Sequence, residues 1–179
     1  MNFNDKILVL DGAMGTMIQK YGLDERDFHK PVPADDCGDQ DPAALKALEE
    51  SRMELKGNNE CLNLTRPDII FDIHRKYIEA GADIIESNTF SANSISQEEY
   101  GLADIAGELA REGAAIARRA ADQSGRKVYV AGSVGPTSKS LTLAQNVEHP
   151  EYRPYGFREM VSAYREQIRG LIDGGADFI

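Results

Sequence analysis

The chain has 179 residues, 41% of them hydrophobic and 28% charged, which suits a folded globular domain and excludes a disordered or fibrous one. Acidic residues outnumber basic ones 30 to 20, so the formal net charge of -10 argues against nucleic acid or an anionic membrane surface as a partner. Two cysteines, Cys37 and Cys61, cannot form a dense disulfide framework, and with no signal-like or membrane-spanning run the expected location is a reducing cytoplasm.

In chain order, Ile7 to Leu10 is a short apolar run closed by Asp11-Gly12, as expected for a strand buried on both faces. A helix is expected from Met14. The stretch from Asp24 to Lys56 reads differently, with Pro31, Pro33, Asp35, Asp36, Asp39 and Asp41, then a short helix from Pro42 to Leu55. It is expected to be a long excursion with a mobile acidic segment, a surface insertion without chemical consequence. Pro67-Asp68 opens a helix that Thr65 could cap; Ile69, Ile70, Ile73 and Tyr77 follow at helical spacing and Gly81 stops it.

A second strand, Asp83 to Ile85, runs into Glu86-Ser87-Asn88-Thr89-Phe90. The next helix, about Ala103 to Asp122, carries small residues on one face for close approach to a sheet. A third strand, Val128 to Ala131, ends in Gly132-Ser133-Val134-Gly135-Pro136. Phe157, Met160, Val161, Tyr164, Ile168, Leu171 and Ile172 mark a further helix, and a fourth strand begins at Asp177. Ala80-Gly-Ala-Asp-Ile-Ile recurs as Gly174-Gly-Ala-Asp-Phe-Ile, the αβ turn of a βα repeat. Barrels and open doubly wound sheets share this grammar, so it leaves the choice between them open.

In parallel α/β folds ligands lie beyond the carboxyl ends of the strands. There the first strand delivers Asp11, then Gly12, Ala13 and Gly15, whose small side chains leave amides open to a carboxylate. Asp11 could equally cap the helix from Met14. The second delivers Glu86, Ser87, Asn88 and Thr89, with Glu86 and Asn88 on one side and Ser87 and Thr89 on the other. A buried glutamate there needs a cation or donor. The third delivers Ser133, Gly135, Thr137 and Ser138, the last two suited to ligand contact or to turn chemistry. His29, His74 and His149 lack metal-ligand spacing, and His74 reads as a helix-surface or packing residue. Arg118, Arg119, Arg165 and Arg169 read as solvated helix charges. Carboxylates for an ammonium beside open amides for a carboxylate suit a small amino acid. No activated nucleophile or base is apparent.

The blocks Asp11-Gly-Ala-Met-Gly-Thr, Lys56-Gly-Asn-Asn, Leu64-Thr-Arg-Pro-Asp, Tyr77-Ile-Glu-Ala-Gly-Ala-Asp-Ile-Ile-Glu-Ser-Asn-Thr-Phe and Val130-Ala-Gly-Ser-Val-Gly-Pro-Thr, with His74, resemble the homocysteine S-methyltransferase family. Lys56-Gly-Asn-Asn, Gly135-Pro-Thr and Val147-Glu-His-Pro through Phe157 favour the branch whose methyl group comes from cobalamin recharged from methyltetrahydrofolate, over relatives using betaine or S-methylmethionine. The stretch from Pro31 to Arg52 departs from the pattern.

The resemblance implies an α/β chain forming the N-terminal half of a (β/α)8 TIM-type barrel, strands one to three and the start of the fourth. All 179 residues would then be one partial homocysteine-binding domain carrying an acidic excursion at about 24–56. The implied reaction is methyl transfer to the zinc-bound thiolate of homocysteine in methionine biosynthesis. Implied partners are homocysteine and the folate-, cobalamin- and activation-type modules of a longer chain; the unpaired edges of a half barrel add an expectation of self-association. By position, Asp11 would hold the homocysteine ammonium, amides around Gly12 and Ala13 with Ser87 its carboxylate, and Glu86, Asn88 and Thr89 the floor. The family usually has threonine where Ser87 stands. The zinc cysteines are expected beyond residue 179, since neither Cys37 nor Cys61 matches them, so the piece by itself is expected to hold no cofactor and to be inactive. A natural non-catalytic binding module is the alternative from another class.

Overall fold

The computed structural model describes residues 7–32, 40–142, 147–149 and 151–179. Pro33, Asp35, Asp36, Cys37, Asp39 and Pro150 lie outside the described residues. The chain is a mixed α/β fold. Its helices are α1 (Met14–Gln19), α2 (Glu25–His29), α3 (Pro42–Glu50), α4 (Leu62–Thr65), α5 (Pro67–Glu79), α6 (Ser94–Gln97), α7 (Ala106–Asp122) and α8 (Phe157–Asp173), and its strands are β1 (Ile84–Glu86) and β2 (Tyr129–Ala131). None of the described helices is long and apolar enough to cross a membrane.

β1 and β2 pair in parallel, Ile85 opposite Val130. Parallel bridges add Leu10 beside Ile84 and Phe178 beside Ala131. The sheet therefore runs from the Leu10 segment through β1 and β2 to the Phe178 segment, in sequence order, as short right-handed crossovers dictate. The first run is less buried than its composition suggests. Val9 and Leu10 are exposed, because this segment is an edge with β1 on one flank only.

Each crossover helix buries one face. α5 begins with Pro67 in its first turn and sinks Ile69, Ile70, Ile73 and Ile78. Its N-terminus is not capped by Thr65, whose hydroxyl donates to the Cys61 carbonyl instead. Arg66 stands at the cap position and grips Asp27 and Asp68. α7 buries Leu109 and a row of alanines, and packs between α5 and α8. Gly81 ends the α5 crossover at φ +107, a backbone region that β-carbons disfavour.

The excursion is not an inert insertion. Phe28, Ala44, Leu48 and Leu55 are buried in the same core as Ile70 and Leu109. The Glu25 carboxylate accepts from the Leu55 and Lys56 amides and contacts the His29 ring. α3 stops at Glu50, and Leu55 reaches the core from irregular backbone. Apolar anchors scattered among prolines and acids lack a period, which is why the pattern hid them. Two arginines expected in solvent are also engaged: Arg118 bonds Asp122 and Asp177, and Arg119 stacks over Phe71.

Candidate active site

The carboxyl ends of the parallel segments open into one cavity of about 480 Å3, lined by Asp11, Gly12, Ala13, Glu86, Ser87, Asn88, Thr89 and Ser133 among others. Every residue singled out as substrate-binding from the sequence thus meets at one place. Thr137 and Ser138 line a separate, adjoining cavity of about 310 Å3, and the Thr137 hydroxyl makes a turn bond to the Lys139 carbonyl.

Asp11 leaves the edge segment with its amide bonded to the Ile84 carbonyl. Its carboxylate accepts from the Glu86 amide at 3.0 Å, across the sheet. It does not cap α1, whose N-cap is Ala13 with no side-chain bond. Burial pushes the Asp11 carboxyl up to about 7; the Glu86 amide works against this shift and the Glu86 charge adds to it. Glu86 itself is exposed.

The loop after β1 is built from buried polar side chains. The Ser87 and Thr89 hydroxyls lie 2.6 Å apart. Thr89 donates its only hydroxyl hydrogen to the Ser133 carbonyl. Ser87 is therefore the donor to Thr89, while accepting from the Ser133 amide. Asn88 and Asn63 exchange bonds, the Asn88 amide donating to the Asn63 side chain and the Asn63 amide to the Asn88 carbonyl. Asn88 also donates to the Asn59 carbonyl. Gly113 on α7 permits this contact, since a β-carbon there would fall 2.5 Å from Thr89 and 2.6 Å from Asn63.

Several supporting residues escaped the sequence. Glu60, in the turn before α4, lines the cavity and accepts from the Ser91 amide at 2.8 Å; burial raises its pKa. Gln97 holds the Ser91 carbonyl and pairs reciprocally with Asn58. Gln167 donates to the Thr89 carbonyl at 2.7 Å. A signal existed for Gln167: it interrupts the apolar face of α8 between Ala163 and Leu171. Glu60 carried a fainter one, an acid directly ahead of the apolar run at Cys61.

Among the described residues no group of three or more histidine, cysteine, aspartate or glutamate side chains could hold a metal ion. Cys61 is buried in the apolar core, and desolvation drives its thiol far above the ordinary range. It is an inert packing group. His74 is also fully buried, and desolvation lowers its pKa to about 4, so it packs as a neutral ring.

The fold is a parallel α/β sheet with a polar cavity at the carboxyl ends of its segments. Its sequence pattern places it further: residues 8–179 match the family described as homocysteine S-methyltransferase, and the chain belongs to that family. Solved structures agree. The homocysteine methyltransferase MmuM from Escherichia coli matches in its metallated form with TM-score 0.60 and 25% identity, over 97% of this chain and 52% of that one. Its oxidised form matches with TM-score 0.58 and 25% identity, over 96% and 51%. The chain thus spans about half the length of these relatives.

Proposed function

We propose that this chain supplies part of the homocysteine site of an enzyme that methylates the homocysteine sulfur. The observation that carries this is the single cavity joining Asp11, Gly12 and Ala13 to the Glu86–Thr89 loop. The Asp11 carboxylate faces the ligand ammonium. The exposed Gly12 and Ala13 backbone takes its carboxylate, joined by Ser87 once that hydroxyl turns its hydrogen from Thr89 to the ligand. Glu86, Asn88 and Thr89 form the floor, with the loop held still by Asn63, Glu60 and Gln167. These residues bind and orient an amino acid.

The same family likeness supports a (β/α)8 barrel, to which the four parallel segments would contribute strands one to four. It also supports a zinc-dependent thiolate, but the described residues do not fit a zinc site, and the metal would have to be held elsewhere. The Lys56-Gly-Asn-Asn and Gly135-Pro-Thr blocks favour a cobalamin-dependent methionine synthase as the parent protein, with folate and cobalamin modules. Its setting would be methionine biosynthesis in the cytoplasm.

The test is methylation of L-homocysteine by the full-length protein, with methylcobalamin and with betaine or S-methylmethionine as donors. Methylcobalamin should serve. Asp11→Ala should raise KM for homocysteine by about tenfold or more, the scale of a lost charge-assisted bond. No turnover with any donor, or an unchanged KM, would sink the proposal; turnover with betaine or S-methylmethionine alone would move the protein to the other branch.

A further inference from the structure

The cavity holds an imbalance of charge. Asp11, Glu60 and Glu86 line it, and no lysine, arginine or histidine does so among the described residues. Backbone amides donate to two of these carboxylates: Glu86 N–H to Asp11 and Ser91 N–H to Glu60. A zwitterionic amino acid brings one positive and one negative charge, so it cannot neutralise this set.

Burial disfavours the charge on both Asp11 and Glu60, and at Asp11 the Glu86 charge adds to that effect. Asp11 sits directly against Glu86 from β1, and the other titratable neighbour is Tyr77 from α5, whose hydroxyl donates to the Ala13 carbonyl. α1 contributes only Met14 and Gly15 to the cavity. Glu60, from the turn before α4, is the competing proton holder.

Taking the cavity as an amino-acid site, we infer that Asp11 carries a proton when the cavity is empty at neutral pH and releases it to solvent as a ligand ammonium takes its place. The O–H bond of the carboxyl breaks, its electron pair stays on the carboxylate, the proton passes to buffer, and an N–H donor of the ammonium replaces it. The upward displacement of Asp11 by burial and by the Glu86 charge agrees with this. Binding requires the ionised form, so affinity must rise with pH until that carboxyl is ionised in the free protein, and then level off.

Carboxyl-carbon NMR titration of the 179-residue chain tests the empty state. Asp11 should titrate near neutrality; Asp11→Asn should remove that step and Glu60→Gln should leave it. An Asp11 that ionises in the ordinary carboxylate range, or a step that survives in Asp11→Asn, overturns the inference. Calorimetry near pH 6.5 in buffers of different ionisation enthalpy tests the bound state. L-homocysteine should release roughly half to one proton, and its affinity should rise about 20-fold between about pH 5.5 and 7.5. 4-Mercaptobutanoate, which keeps the thiol and carboxylate but lacks the ammonium, should release none. Homocysteine binding without proton release overturns the inference and leaves the amino-acid site intact. A neutral-range Asp11 step without homocysteine binding does the reverse, removing the amino-acid site and leaving the proton on Asp11.

Discussion

The turns at Gly81-Ala82-Asp83 and Gly175-Ala176-Asp177 make the same local structure in different surroundings. Each glycine has a positive φ, +107 and +92. Each aspartate clamps the strand before its own in the sheet: Asp83 accepts from the Val9 amide at 3.2 Å, and Asp177 from the Val130 amide at 2.8 Å. Each carboxylate meets an arginine, Arg126 in one case and Arg118 in the other. The helices feeding these turns then diverge. Ile78 on α5 is 6% exposed, covered by the alanines of α7, whereas its counterpart Ile172 on α8 is 60% exposed. Ile172 borders a groove of about 1110 Å3 with Phe157, Val161 and Ile168. The turn is a property of its own residues, and burial is a property of what packs beside them.

Substitution of the paired positions breaks that comparison most sharply at the isoleucines. Ile78→Ala should cost about 3 kcal/mol, removing buried methyls from a closed cluster, while Ile172→Ala should cost under about 0.5 kcal/mol; urea unfolding reads both. Equal losses would mean that Ile172 is covered in solution. The next effect lies at Gly174, the counterpart of Ala80. A β-carbon at Gly174 would press into the Arg111 carbonyl oxygen and lie 2.8 Å from Ala114, because α7 and α8 touch there. Gly174→Ala should therefore destabilise by about 2 kcal/mol, against roughly 0.5–1 kcal/mol for Ala80→Gly through helix propensity alone. A neutral Gly174→Ala would show that α7 and α8 do not approach so closely.

The smallest difference is expected between the aspartates. Asp83 is buried and Asp177 exposed. Asp83→Ala should cost about 2 kcal/mol and Asp177→Ala about 1 kcal/mol, since an amide left without its acceptor is worse off where water cannot reach it. Amide exchange at Val9 and Val130 checks the mechanism directly: each should lose protection only when its own aspartate is replaced.

Much of the candidate site was legible because strand ends follow a simple rule. An apolar run followed by Asp11-Gly12, and another followed by Glu86 to Thr89, put those residues at one edge of a parallel sheet, and one cavity unites them. What could not be read was the support behind them. Asn63, Gln97 and Gln167 lie up to dozens of residues away and act by donating to backbone carbonyls of the loop, which leaves no motif. The excursion misled for a related reason, since Phe28, Leu48 and Leu55 enter the core singly and without a helical or strand period.

By itself the sequence determined the order of the long crossover helices and of the parallel segments, the glycine turns between them and the polar character of the segment ends, since these depend on neighbours along the chain. Only the tertiary structure decided that the edge segment of Val9 and Leu10 is exposed, that Asp11 accepts from Glu86 rather than capping α1, and that Glu60 joins the cavity. Each of these depends on distance in space, where the charge of one carboxylate and the burial of another are set by residues that the local pattern does not reach.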